Sequence, residues 1–209
     1  ETTGTPTAVI DAQQNGRVFN IPANTNVNLQ YLTIQSGDAT KDTVTTNGGA
    51  IQNFGTLSIK NCQITKNTAT DGGGIYNSGT CNISDSVVSS NTADYGGGIY
   101  NYEGTCNVSD SAVTDNSANY YGGGGIYNSG AMSVYSSAVT GNSAYYYGGG
   151  ICNVGTMSVY SSAVTGNSAD IYGGGISNSH GTCTVIGSNI NGNTAANDNF
   201  AANGGGIWN

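Results

Sequence analysis

The sequence is poor in almost everything that usually builds or charges a globular surface. Charged residues make up 8% of the 209 positions, and only four are basic: Arg17, Lys41, Lys60 and Lys66. A nucleic-acid partner needs a Lys/Arg surface against its phosphates, so that class is excluded. A polybasic anchor on anionic lipid is excluded for the same reason. No run of apolar residues approaches the ~18 that a transmembrane helix needs, so no such segment is expected. Leu, Ile, Val and Phe together number 36, below the share at which a conventional core is expected. Glycine is abundant instead, at 34 residues, but it comes in clusters and not at every third position, which excludes collagen. A repeat is the remaining way to make a core from so few large aliphatics.

The repeat is present. Seven glycine clusters each run into a residue pair closed by Asn: GGAIQN at 48–53, GGGIYN at 72–77, 96–101 and 123–128, GGGICN at 148–153, GGGISN at 173–178 and GGGIWN at 204–209. Their Ile positions, from Ile51 to Ile207, are spaced 24, 24, 27, 25, 25 and 31 residues apart. Between clusters the apolar pattern has period two, which is strand and not helix. One inward column reads Val27, Leu57, Cys81, Cys106, Met132, Met157, Cys183; the next reads Leu29, Ile59, Ile83, Val108, Val134, Val159, Val185. A third holds Leu32 and Cys62 and then serines to Ser188, and a fourth runs from Ile34 to Ile190. Two Asn columns, Asn67 to Asn193 and Asn53 to Asn209, suit corners, because Asn tolerates a left-handed backbone and stacks in hydrogen-bonded ladders.

These features predict an all-β protein: one domain over 1–209, a parallel β-helix (β-solenoid) of about seven to eight coils. It is expected to be right-handed, since parallel crossovers are right-handed by default. Residues 1–21 are expected to hold the first strands at a light N-terminal end. Segments 38–47 and 194–203 are expected to be loop excursions, and 204–209 an unfinished last coil. An end coil exposes unpaired backbone groups, so that end is expected to belong either to a trimmed chain or to a rod completed by another subunit.

GGAI or GGGI followed by strands ending in N-T-A or N-S-A resembles the repeat of chlamydial polymorphic outer-membrane proteins. It is similar also to the adhesin-like surface proteins of methanogenic archaea. The resemblance covers roughly 9–209 and implies a β-solenoid displayed outside the cell, in adhesion or envelope architecture.

Several residues stand out as candidate sites. Tyr76, Tyr100, Tyr127 and Trp208 fill the middle position of the Ile-x-Asn strand, and Tyr145, Tyr146 and Tyr147 precede a glycine cluster. Further tyrosines before the glycines, and Tyr135 and Tyr160, complete an outward aromatic set. It reads as cross-strand packing, a glycan platform or an interface; with Asn209 we take it as a self-assembly interface. Cys81 and Cys106 face each other in adjacent coils at a separation that permits a disulfide, or they are free core thiols. Cys152 replaces Tyr at an outward position and is expected to be an exposed thiol open to an intermolecular bridge. Asn82 and Asn107 each head a sequon and are candidate N-glycosylation sites. Asp85 and Asp110 align in adjacent coils with Lys60 nearby and His180 alone in a turn, too little for a catalytic set. No metal or cofactor is expected.

The expectation is a secreted structural protein, not an enzyme, that assembles with copies of itself into an envelope layer, sheath or fibre. Glycans and other envelope proteins are further candidate partners. The alternatives are an adhesin or glycan-binding module, and a polysaccharide lyase or hydrolase.

Overall fold

The computed structural model describes residues 6–196 and 204–209. Each coil contributes short strands to parallel sheets that run the length of the rod. One sheet stacks Ile-x-Asn strands such as Ile99–Asn101 and has eight members; a second stacks five-residue strands such as Thr105–Ser109 and has seven. A third, of eight, contains Ala112–Thr114, and a fourth, of five, contains the two-residue strand Ser117–Ala118. Every pairing is parallel and in register, so equivalent residues of successive coils lie side by side, as Ile99 does between Ile75 and Ile126. The eight strands of the Ile-x-Asn sheet make the rod about eight turns tall.

The inward columns are those the alternation predicts. Cys106 lies between Cys81 and Met132, and Val108 between Ile83 and Val134. The side chains of Ile34, Ile64, Val113, Val139 and Val164 are fully buried, as are those of Ile51, Ile75, Ile99, Ile126, Ile151 and Ile176. Each such side chain contributes roughly 1.5–3 kcal/mol of burial, and stacking is what completes its enclosure. A further buried column, Ala93, Ala118, Ala144 and Ala169, lines the short fourth sheet, and Ala69 continues it one coil earlier beside the Thr68–Thr92 bridge. The chain has little room here, and that demands glycine: a Cβ on Gly97 would stand 2.4 Å from the Ser117 carbonyl oxygen and 2.5 Å from that of Gly124. Gly96, just before it, turns with φ +60°.

The two Asn columns are buried ladders. Asn101 Nδ2 donates to Asn128 Oδ1 at 2.8 Å and also to the Gly104 and Ala131 carbonyls, while its own Oδ1 accepts from Asn77 at 2.7 Å. The second ladder adds a backbone bond: Asn142 Oδ1 accepts from both the Nδ2 and the main-chain N–H of Asn116. The serine column works likewise. Ser137 Oγ accepts the N–H of Ser111 at 3.1 Å and donates to the Tyr135 carbonyl at 2.7 Å. Polar groups at the corners are thus satisfied within the stack, which burial requires.

At the N-terminal end, Ala8–Asp11 is the first strand, and Phe19–Ile21 pairs with Ile51–Asn53, which puts Gly16-Arg17-Val18-Phe19-Asn20 where later coils carry their glycine–Ile cluster. Segment 38–47 leaves the ladder only partly. Asp38 bridges to Thr68 and Asn47 to Asp71, and a 3-10 turn forms at Ala39–Lys41. Arg17 pins this excursion through Asp42 at 3.1 Å and through the Thr45 and Asn47 carbonyls. The second excursion begins later than expected, because Thr194–Ala195 is a strand paired with Ser168–Ala169; residues 197–203 of that segment lie outside the described residues. Ile207–Trp208 then pairs with Ile176–Ser177, and Asn209 accepts from Asn178 at 2.6 Å.

Candidate functional site

Most of the aromatic set, without Tyr120, Tyr135 and Tyr160, forms one connected ladder on the outer side of the Ile-x-Asn sheet. Tyr100 packs edge-on against Tyr76 at 5.5 Å and against Tyr127 at 4.9 Å between ring centroids. Tyr95 stacks on Tyr121 at 5.1 Å, Tyr121 meets Tyr147 at 5.0 Å, and Tyr147 stacks on Tyr172 at 5.2 Å. Trp208 closes the run against Tyr172 at 4.8 Å. Each edge-to-face or stacked pair adds roughly 0.5–1.5 kcal/mol beyond the area it buries.

The ladder corrects part of the expected interface. Tyr76 and Tyr127 are only 7% and 8% exposed, because Phe54, Tyr100 and Tyr102 pack around Tyr76 while Tyr95 and Tyr121, which precede glycine clusters, fold over Tyr127. Burial, followed by the charge of Asp71, pushes the Tyr76 phenol up to about 12. Tyr100, Tyr146, Tyr147 and Trp208 are half-buried. The ladder rings that stay open are Phe54, Tyr102 and Tyr145, at 42%, 39% and 46% exposure, and Tyr120 beside them is 62% exposed. Sequence reasoning missed Tyr102 and Phe54, which follow the corner Asn directly and pack back onto Tyr76. The Asn-aromatic dipeptides Asn53-Phe54 and Asn101-Tyr102 were the available signal.

Cys152 is also corrected. It is not an exposed thiol: it is 1% exposed, beside Tyr121, Tyr127 and Tyr147, and burial raises its pKa to about 12. A small residue in a column of tyrosines leaves a hollow that neighbouring rings close. A bridge through Cys152 to another chain is therefore not supported. Cys81 and Cys106 are adjacent as expected, fully buried and held as free thiols. The Cys81 thiol is raised well above its usual range, first by its hydrogen bond with Cys106 and then by burial.

Asn82 and Asn107 face outward and are exposed, with Asn107 Nδ2 donating to Asn82 Oδ1 at 2.9 Å. Asp85 and Asp110 stand in the turn between the five-residue and three-residue sheets, where Lys60 reaches Asp85 at 3.8 Å. They begin an open groove of about 830 Å³ that continues along the rod past Ser136 and Ser161 to Gly187, with Ala112, Ala138 and Ala163 as its floor. His180 is exposed, with its Nδ1 2.9 Å from Ser179 Oγ.

Asp71 lies under the aromatic ladder. Burial, reinforced by Asp94, raises its carboxyl to about 6.

Residues 61–78 match the Chlamydia polymorphic membrane protein (Chlamydia_PMP) repeat. The matched stretch begins one residue before Cys62, crosses Asn67 and the Asp71-Gly-Gly-Gly cluster, and ends just after Asn77, so it spans both Asn corners of one coil. No curated protein and no solved structure matches the chain significantly. The resemblance to the chlamydial polymorphic membrane protein repeat therefore stands on a motif whose parts have separate structural duties here: glycines at the closest backbone approach, Ile in the core, Asn in the ladder. A repeat of this type on a β-solenoid fits a surface or outer-membrane-type repeat protein.

Proposed function

We propose that the chain is a structural, non-catalytic solenoid of the cell envelope that associates with copies of itself through its aromatic face. The observation that carries this reading is the ladder from Phe54 to Trp208. Its inner rings are locked by their neighbours, its outer rings Tyr102 and Tyr145 are presented on a rigid backing, and Tyr120 stands exposed near Tyr95. Preordered tyrosines lose little conformational entropy on contact, and they are among the side chains most enriched where proteins meet. Repetition along the rod multiplies a weak contact, which favours a layer, sheath or fibre over a single encounter.

Sedimentation velocity over a wide concentration range tests this. The expected result is concentration-dependent association that is lost in Tyr102→Ser/Tyr120→Ser/Tyr145→Ser. A chain that stays monomeric up to its solubility limit overturns the reading. A second reading, a glycan-binding surface module, draws on the groove beside Asp85 and Asp110.

A further inference from the structure

We propose that the groove along the turn between the five-residue and three-residue sheets binds a neutral, linear glycan lying parallel to the rod axis. This does not depend on self-association, because the groove lies on other sheets than the aromatic ladder.

Three features converge there. The first is shape. The groove of about 830 Å³ is open along its length, with equivalent positions at Asp85, Asp110, Ser136, Ser161 and Gly187. At the ~4.8 Å spacing of paired strands, four steps give a run of roughly 19 Å, room for several sugar residues in a row.

The second is chemistry. Carboxylate and hydroxyl oxygens stand at the turn, and methyl groups line the floor. A sugar chain has the complementary character, with hydroxyls at its ring edges and C–H groups on its ring faces. Tyr135 and Tyr160 are the outward residues just before Ser136 and Ser161, and they pair with each other in register. Tyr135 is 53% exposed. Unlike the rings of the other face, neither packs against another aromatic ring among the described residues. Neither ring lines the groove itself; each directly precedes a lining serine, with Tyr160 half-buried, so the pair flanks the turn and offers ring faces on which sugar C–H groups can stack.

The third is charge. Asp85 and Asp110 are offset by one cation, Lys60, in a chain of net charge −8. An anionic polysaccharide would be repelled at the Asp85–Asp110 end, and the neutral remainder of the groove holds no cation to offset this, so the ligand is uncharged.

The site is also rigid before binding. Asp85, Asp110, Ser136 and Ser161 all hold left-handed backbone, with φ between 46° and 49°. Each N–H is bonded to the next coil: Asp85 to Ser109, Asp110 to Tyr135, Ser136 to Tyr160 and Ser161 to Ile186. Little ordering remains to be done when a ligand arrives.

The test is a glycan array followed by titration, with cello-, manno- and chito-oligosaccharides as neutral probes and polygalacturonate as the acidic one. The wild type is expected to retain at least one neutral oligosaccharide and to ignore polygalacturonate. Tyr135→Ala/Tyr160→Ala, with an unchanged circular dichroism spectrum, is expected to bind at least tenfold more weakly, and Asp85→Asn/Asp110→Asn to bind more weakly as well. Tyr102→Ala on the opposite ladder is expected to bind as the wild type does. Failure to retain any neutral probe, preference for polygalacturonate, or undiminished binding by the folded Tyr135/Tyr160 variant overturns the proposal.

Discussion

The Asn ladders and the aromatic ladder are made in the same way, by repeating one residue type at one coil position so that parallel pairing stacks it on itself. They end up with opposite roles. Each internal Asn amide bonds to its neighbour above, its neighbour below and nearby carbonyls, as at Asn101 and Asn116, and nothing is left for a ligand. A tyrosine ring can saturate only its packing, and only where other rings surround it. Tyr127 is covered while Tyr120 stands clear. Stacking a short polar side chain therefore builds the frame, whereas stacking a long amphipathic one builds the frame and leaves a margin of surface for contact.

Substitutions on the two ladders should separate these roles. The largest effect is expected for Asn101→Ala, which removes four side-chain hydrogen bonds, two along the ladder and two to carbonyls, and strands buried partners on both sides; about 4 kcal/mol of stability should be lost in urea unfolding. A loss no greater than that of an exposed site would end the distinction between frame and surface.

On the aromatic face, Tyr127→Ala should cost about 3 kcal/mol by emptying a packed position, and Tyr120→Ala, at an exposed ring outside the ladder's contacts, less than about 0.5 kcal/mol. The same unfolding curves measure both, and equal costs would mean that the rings do not divide into covered and open sets.

A smaller effect than those at Asn101 and Tyr127 is expected from pH. The folded pKa of Asp71 is raised to about 6 from an ordinary 3.8, so the folded chain holds that proton more tightly than the unfolded one. Its contribution is fully present below about pH 4 and is lost as pH rises through about 6. With solvent screening of a partly exposed group, the change is on the order of 1 kcal/mol. Comparing the wild type with Asp71→Asn across this window isolates it, and an unchanged pH dependence in the variant would place the effect elsewhere.

Most of the fold was legible in the residues. The inward columns, the Asn corners and the pairing of Phe19 with Ile51 follow from period-two alternation and from glycine clusters that mark each coil. The surface was less legible. Cys152 occupies an outward position by alternation and yet is buried, because rings from the loop before the glycines lean over it. The pattern of a strand says which way a Cβ points and carries no information about what arrives from outside to cover it. Thr194–Ala195 was misread as loop for a related reason: a two-residue strand has too short a pattern to show.

Local sequence thus determined the coil, its inward residues and the register in which identical side chains stack, because each depends on alternation and on where the backbone must turn tightly. Only the tertiary structure decided which outward groups remain available. It covered Tyr76, Tyr127 and Cys152, and it set the turn residues from Asp85 to Ser161 along one groove beside Tyr135 and Tyr160. Exposure is a property of neighbours in the next coil and in the loops between coils, and those neighbours meet only when the rod is built.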